Sequence, residues 1–160
     1  MSEFVCRFLK LNENAIIPTR GEEKSIGLDL FSLGPFQIEP EEVKLVSTGL
    51  VAIPPIGFHY EILLRSSTPK KYPGLILANH VGLIDPSYCG PEDEIKMAFL
   101  NLAVFRHYVG SEKPIAQLVL RENNYAVPKE ITLEEYKETC FYKKGSRGGF
   151  GSTDLKRERE

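Results

Sequence analysis

Glycine and proline punctuate this chain closely enough to decide its class of fold. The 160 residues include 13 glycines and 11 prolines, scattered along the length. Glycine loses the most backbone entropy in a helix, and proline removes a donor and clashes with the preceding turn. Long helices are therefore excluded, and the segments between these breakers have strand character. Phe58, Tyr60, Ile62 and Leu64 alternate with more polar residues and share one face of a strand. Residues 43–53 are rich in β-branched side chains and carry Gly49, where a bulge is expected. Residues 75–78 and 95–102 are more uniformly apolar, the pattern of strands buried on both faces, and residues 115–120 resemble them. One short helix is expected, capped by Thr132, with Glu135 three residues on. Many short strands with turns between them predict an all-β fold, a jelly-roll-like barrel or sandwich. A single domain over residues 1–142 is expected, followed by a flexible glycine-rich arm over residues 143–160.

Bulk properties narrow the function. With 42% hydrophobic and 26% charged residues the chain has the balance of a soluble globular protein. A net charge of −2 gives no electrostatic reason to bind long nucleic acids or anionic membranes. Any phosphate ligand must be held by local cations or backbone N–H groups. No run of about 18 apolar residues is present, so no membrane span is expected. The first ten residues lack a basic region followed by an apolar stretch, so no secretory signal is expected. Cys6, Cys89 and Cys140 show no CxxC pairing and read as reduced thiols, which places the protein in the cytoplasm or a nucleus.

Five stretches could carry chemistry, and each also has a plainer reading. Asp29 lies between Leu28 and Leu30 in a strand-like run. If buried it needs a partner, as a structural ion pair or as part of a site. Arg65, Ser66 and Ser67 follow an alternating strand. They suit oxyanion binding, or form a surface turn. Asn79, His80, Val81 and Gly82 lie between two apolar segments, where a β-hairpin is expected, and hairpin mouths offer backbone groups that can read a flat base. Asp85 follows Gly82-Leu83-Ile84 and precedes Pro86, as a turn former or a general base. Gln117 is a polar amide in the apolar run Ile115-Ala116-Gln117-Leu118 and must hydrogen-bond to something. Finally, residues 143–153 combine four glycines with Lys143, Lys144 and Arg147, the hydroxyls of Ser152 and Thr153, and a lone Phe150. Such a stretch is a flexible tail, or a set of N–H donors that wraps an anion while Phe150 stacks on a planar ligand.

In this order the stretches resemble the five motifs of the trimeric dUTP pyrophosphatase (dUTPase) family. Gly27-Leu28-Asp29-Leu30 resembles motif one and Arg65-Ser66-Ser67 motif two. Gly82-Leu83-Ile84-Asp85 through Tyr88 and Gly90 resembles motif three, with Asn79 ahead of it. Ile115-Ala116-Gln117-Leu118 resembles motif four, and Gly149-Phe150-Gly151-Ser152-Thr153 motif five. The resemblance implies a jelly-roll-like homotrimer with active sites shared between subunits, and Mg²⁺ carried by the triphosphate. It implies hydrolysis of dUTP to dUMP and pyrophosphate, which keeps uracil out of DNA and supplies dUMP for dTMP synthesis. By the same resemblance Asn79, His80, Val81, Gly82, Leu83 and Ile84 hold uracil, and Tyr88 packs on deoxyribose and blocks a 2′-hydroxyl. Asp85 activates the attacking water, and Asp29 acts on the metal indirectly, through water. Arg65, Ser66, Ser67 and Gln117 contact the phosphates together with Arg147, Gly149, Gly151, Ser152 and Thr153. Phe150 closes over the base.

Three departures stand out. Gly145 occupies the place where the family usually has an arginine, leaving Arg147, Lys144 and Lys143 as candidates for the terminal phosphate. Pro91-Glu92-Asp93 is an insertion after Gly90. Glu112-Lys113-Pro114 replaces the usual lead-in to motif four. The alternatives are a dCTP deaminase or bifunctional deaminase of the same superfamily, or a nucleotide-sensing member without catalysis. The pairing of Asp85 with Tyr88 favours the pyrophosphatase.

Overall fold

The computed structural model describes residues 4–139, which divide into two compact units after Asn124. The first unit is built from twelve strands: β1 Arg7–Lys10, β2 Thr19–Arg20, β3 Leu28–Leu30, β4 Phe36–Ile38, β5 Val43–Ser47, β6 Leu50–Ile53, β7 Phe58–Leu64, β8 Leu75–Leu77, β9 Gly82–Ile84, β10 Lys96–Asn101, β11 His107–Val109 and β12 Ala116–Glu122. The only helix among its described residues is a single turn, α1 Thr68–Lys71. Five strands form one sheet in the order β2-β3-β12-β7-β9, and three form another in the order β5-β10-β8. The pairs β1-β6 and β11-β4 complete the sandwich, and every pairing is antiparallel.

The alternation expected for Phe58–Leu64 holds. On β7 the inward residues Tyr60 and Ile62 are buried. They join Leu30 of β3 and Ala116 and Leu118 of β12 in one cluster with Leu75, Leu77, Met97 and Phe99 from the three-stranded sheet. Each fully buried side chain of this kind contributes about 1.5–3 kcal/mol against its exposed state, so the cluster sets which face of each strand points inward. Burial pushes the Tyr60 phenol above its ordinary range, with the neighbouring Cys6 thiol adding to the shift. The buried amide of Asn101 is bonded into the same frame. Asn101 donates through Nδ2 to the Ile38 and Phe105 carbonyls (3.1 and 2.9 Å), and its Oδ1 accepts from the Ala103 N–H (2.9 Å).

Four expectations need correction. Residues 43–53 are two strands rather than one bulged strand: β5 pairs with β10 and β6 with β1. Gly49 is the corner between them, at φ +70°. Its N–H donates to Glu94 Oε1 (2.8 Å), and Thr48 Oγ1 donates to the Ile95 carbonyl (2.7 Å). β10 is not buried on both faces, since Met97, Phe99 and Asn101 point inward while Ala98 and Leu100 are only half-buried. The turn at residues 78–81 does not close a hairpin, because β8 pairs with β10 whereas β9 pairs with β7. It carries the chain from one sheet to the other. Lastly, α1 was not anticipated. It starts where Thr68 Oγ1 donates to the Ile115 carbonyl (2.7 Å) and Pro69 presets the helical φ.

In the second unit, α2 (Leu133–Thr139) follows the expected cap. The Thr132 N–H donates to Glu135 Oε2 (3.0 Å) and the Glu135 N–H donates to Thr132 Oγ1 (3.2 Å), a reciprocal capping box.

The Gly49 corner is testable. A Cβ there would lie 2.9 Å from both the Ala15 Cβ and Leu33 Cδ1, on a backbone that side chains rarely adopt. Gly49→Ala is expected to destabilise the fold by roughly 1–3 kcal/mol, from left-handed strain plus crowding. Urea unfolding at matched protein concentration measures it.

Candidate active site

Register on the five-stranded sheet brings distant residues together. β12 lies between β3 and β7, with Gln117 opposite Asp29 on one side and opposite Leu63 on the other. Directly opposed residues project to the same face, so Asp29 and Gln117 stand side by side on the face away from the core. Arg65, just past the end of β7, turns onto that face. Its Nε lies 2.7 Å from Asp29 Oδ1, and its Nη1 donates to the Pro114 carbonyl (3.4 Å). Gln117 Nε2 donates to the Leu64 carbonyl (3.0 Å), which meets the requirement for a partner.

These side chains line a cleft of about 390 Å³ with Gly21, Glu22, Ser25, Gly27 and Ser66. Gly27 has a steric role, since a Cβ at that position would overlap Gln117 Oε1. The guanidinium has five N–H donors. Nε and one Nη1 donor are engaged within the protein, and the remaining Nη donors are available to an oxyanion. The lining holds two carboxylates, Glu22 and Asp29, and one cation, Arg65. The cleft thus offers oriented donors without a net positive charge. Ser67 does not line it; Ser67 is the N-cap residue of α1, and its carbonyl accepts from the Lys71 N–H (3.1 Å).

A second cluster lies along β9, the edge strand of the same sheet. Edge strands present unpaired backbone N–H and C=O groups. Gly82 and Ile84 face inward, and Val81, Leu83 and Asp85 face out. Gly82 packs against β7, where a Cβ would sit 2.9 Å from the Ile62 Cβ. Asn79 and His80 are exposed in the preceding turn, with His80 at φ +58°. The Tyr88 N–H donates to the Asp85 carbonyl (3.0 Å), so one turn sets Asp85 and Tyr88 relative to each other. The Tyr88 hydroxyl donates to the Glu94 carbonyl (3.0 Å).

Asp85 and Arg65 do not meet within one copy of the chain. Ile84 is opposite Tyr60, which puts Asp85 level with His59, while Arg65 follows the other end of β7. Six residues of strand at about 3.3 Å each separate them by about 20 Å along β7. Residues Arg147, Gly149, Phe150, Gly151, Ser152 and Thr153, with Lys143, Lys144 and Gly145, lie outside the described residues. Among the described residues no group of three or more His, Cys, Asp or Glu side chains is placed to hold a metal ion. None of the described helices is long and apolar enough to cross a membrane.

Reasoning from sequence missed Gly21 and Glu22 as cleft residues. They sit in the loop between β2 and β3, and only the pairing of β3 with β12 brings that loop beside Gln117.

Comparison with known proteins adds a separate line of observation. The family model described as dUTPase matches residues 13–153. A deoxyuridine 5′-triphosphate nucleotidohydrolase of Clostridium kluyveri is 34% identical over 144 residues, covering 90% of this chain and 94% of the relative. The crystal structure of a dUTPase from Streptococcus mutans superposes with a TM-score of 0.67 at 26% identity, covering 77% of this chain and 98% of that one. A dUTPase from phage phi11 of Staphylococcus aureus, whose structure coordinates a structural Mg(II) ion, shares the fold with a TM-score of 0.69 at 20% identity over 79% and 96% of the two chains.

Gly27→Ala tests the cleft directly. The added methyl forces Gln117 off the Leu64 carbonyl, with an expected loss of about 1–3 kcal/mol. Denaturant unfolding reads the loss, and the Gln117 side-chain amide resonances report the displacement.

Proposed function

The chain belongs to the dUTPase family, enzymes that hydrolyse dUTP to dUMP, and from that premise we propose how its own residues divide the work. The observation that carries the reading is the convergence of Asp29, Arg65, Ser66 and Gln117 in one cleft, with Asp85 about 20 Å away along β7. Arg65, Ser66 and Gln117 bind the phosphates, and Asp29 holds the guanidinium through Nε so that its Nη donors face the substrate. The edge of β9 and the turn before it, from Asn79 to Ile84 in sequence, take the uracil. Tyr88 lies against the sugar.

Water attacks the α-phosphorus in line. The new bond joins the water oxygen to that phosphorus, the bond to the α,β-bridging oxygen breaks, and pyrophosphate leaves with the bonding pair. Asp85 takes the water proton. Such a step rests on positioning and charge stabilisation. The cleft residues alone carry one more negative than positive charge, against a polyanionic substrate. That supports Mg²⁺ travelling on the triphosphate, since Mg²⁺ usually binds through one or two carboxylates plus substrate phosphates. Asp29 and Glu22 are the residues that would face it, and its chemistry there would be charge neutralisation.

A general base must lie within hydrogen-bond reach of its water. A separation of about 20 Å therefore supports a site shared between copies, Asp85 of one facing the Arg65 cleft of another, and the family resemblance sets the number of copies at three. Residues 143–160 form the arm, with Phe150 over the base and Arg147, Gly149, Gly151, Ser152 and Thr153 on the phosphates. Cys6 and Cys89 are free thiols, which supports a reducing compartment, the cytoplasm or nucleus.

Two experiments test this. Asp85→Asn is expected to lower kcat for dUTP by about 10²–10⁴-fold with little change in KM; near-normal turnover removes Asp85 from the role. In the second, inactive Asp85→Asn and Arg65→Ala chains are mixed in equal amounts and allowed to exchange subunits. Random assembly rebuilds about a quarter of the sites with both residues intact, provided each site draws them from different copies. A site contained in one copy regains no activity.

A further inference from the structure

The insertion Pro91-Glu92-Asp93 has no place in the chemistry above, yet it adjoins Tyr88. Tyr88 is 42% exposed, so packing within the chain covers it only in part. At its backbone end the ring is anchored by the turn from Asp85, where the Tyr88 N–H donates to the Asp85 carbonyl (3.0 Å). At its far end the hydroxyl donates to the Glu94 carbonyl (3.0 Å).

That carbonyl is itself fixed from both sides. Toward the insertion, Asp93 Oδ2 accepts from the Gly90 N–H (2.7 Å), the Asp93 N–H donates to the Gly90 carbonyl (3.1 Å), and the Glu94 N–H donates to the Glu92 carbonyl (2.8 Å). Residues 90–93 thus close into a small loop around the Asp93 carboxylate. Gly90 makes room for it, since a Cβ there would lie 2.9 Å from Asp93 Oδ2. Toward the sheet, Glu94 Oε1 accepts from the Gly49 N–H (2.8 Å), Oε2 accepts from the Ser47 hydroxyl (3.3 Å), and the Ile95 N–H donates to the Leu50 carbonyl (2.8 Å).

We propose that the loop formed by the insertion is a brace for Tyr88. Asp93 and Glu94 act as positioning residues that hold the ring at the sugar and so set the discrimination between deoxyribo- and ribonucleotides. The physical need is plain. A ring that excludes a single hydroxyl must resist displacement by about an ångström, and a half-exposed tyrosine pinned only at its backbone swings on χ1 and χ2. A second anchor at the hydroxyl removes that freedom. The brace is built from this chain's own additional residues, and its carboxylate touches the Gly90 N–H rather than the substrate.

The proposal rests on Tyr88 being the sugar contact, and the experiment separates the two claims. kcat/KM is measured for dUTP and UTP with the wild-type chain and with Tyr88→Ala, Tyr88→Phe, Asp93→Ala, Asp93→Asn and the Tyr88→Phe/Asp93→Ala double variant. Tyr88→Phe keeps the ring and loses the tether. It and Asp93→Ala are each expected to raise the UTP-to-dUTP ratio about threefold to tenfold, the worth of one hydrogen bond. The double variant should be no worse than Tyr88→Phe alone, because both changes cut one connection. Asp93→Asn, whose side-chain oxygen still accepts from the Gly90 N–H, should return the ratio toward the wild-type value. If Tyr88→Ala leaves the ratio unchanged, Tyr88 is not the sugar contact and the underlying assignment fails. If Tyr88→Ala relaxes the ratio but Tyr88→Phe and Asp93→Ala do not, or if their effects add, the brace is overturned while the sugar contact stands. Equal losses on both substrates in Asp93→Ala also overturn it, since a merely structural role lowers both alike.

Discussion

The place of β12 between β3 and β7 is the constraint on which the Asp29–Arg65–Gln117 cleft depends. Pairing on both sides fixes its register twice, once through Ala116, Gln117 and Leu118 against β3 and again along seven residues of β7. A slip of one residue would turn Gln117 into the core and Leu118 out to the cleft. Leu118, Ala116 and Leu30 are fully buried, so the hydrophobic cluster penalises that slip heavily. The cleft residues are therefore positioned by the apolar residues beside them in sequence, on the opposite face of the same strands.

The Asp29–Arg65 pair is better understood as an orienting device than as a source of stability. Two unit charges about 4 Å apart attract by about 4 kcal/mol at an effective dielectric of 20, and desolvation and side-chain ordering offset most of that. Both side chains retain some solvent exposure, which screens the pair further. What remains is direction. Asp29 accepts from Nε and the Pro114 carbonyl from Nη1, which fixes the plane of a guanidinium that lines the cleft. Across the sheet, the length of β7 sets a different limit. It holds Asp85 and Arg65 at opposite ends, and an extended strand cannot be shortened to bring them together. The same strand that carries Arg65 into the cleft thus keeps Asp85 away from it within one copy, which is what the proposed sharing of the site between copies rests on.

Legibility varied with how local each signal was. The capping box of Thr132 and Glu135 is a relation over three residues and was readable directly. The alternation of Phe58–Leu64 was readable because both neighbours of β7 lie in one sheet with one face on the core. At Gly49 the local signal predicts a bulge, but whether the glycine kinks one strand or ends it depends on the partners β1 and β10, far away in sequence. The turn at residues 78–81 misled for the same reason: flanking apolar segments and turn residues predict a hairpin, and only the pairing partners reveal a crossing between sheets. Residues 95–102 misled because apolar composition marks what a strand is able to bury. It does not say whether anything covers the outer face, where Ala98 and Leu100 stay half-buried.

By itself the sequence determined an all-β chain of short strands, a capped helix near residue 133, and the ordered set of polar residues that marks its family. Those properties follow from backbone freedom and periodicity, which act over a few residues. Only the tertiary structure decided that Asp29, Arg65, Ser66 and Gln117 share a cleft with Gly21 and Glu22, that Asp85 stands about 20 Å from it, and that the insertion at residues 91–93 lies behind Tyr88. Strand register decides such matters. It is set by the burial of side chains far apart in sequence, and no local pattern carries that information.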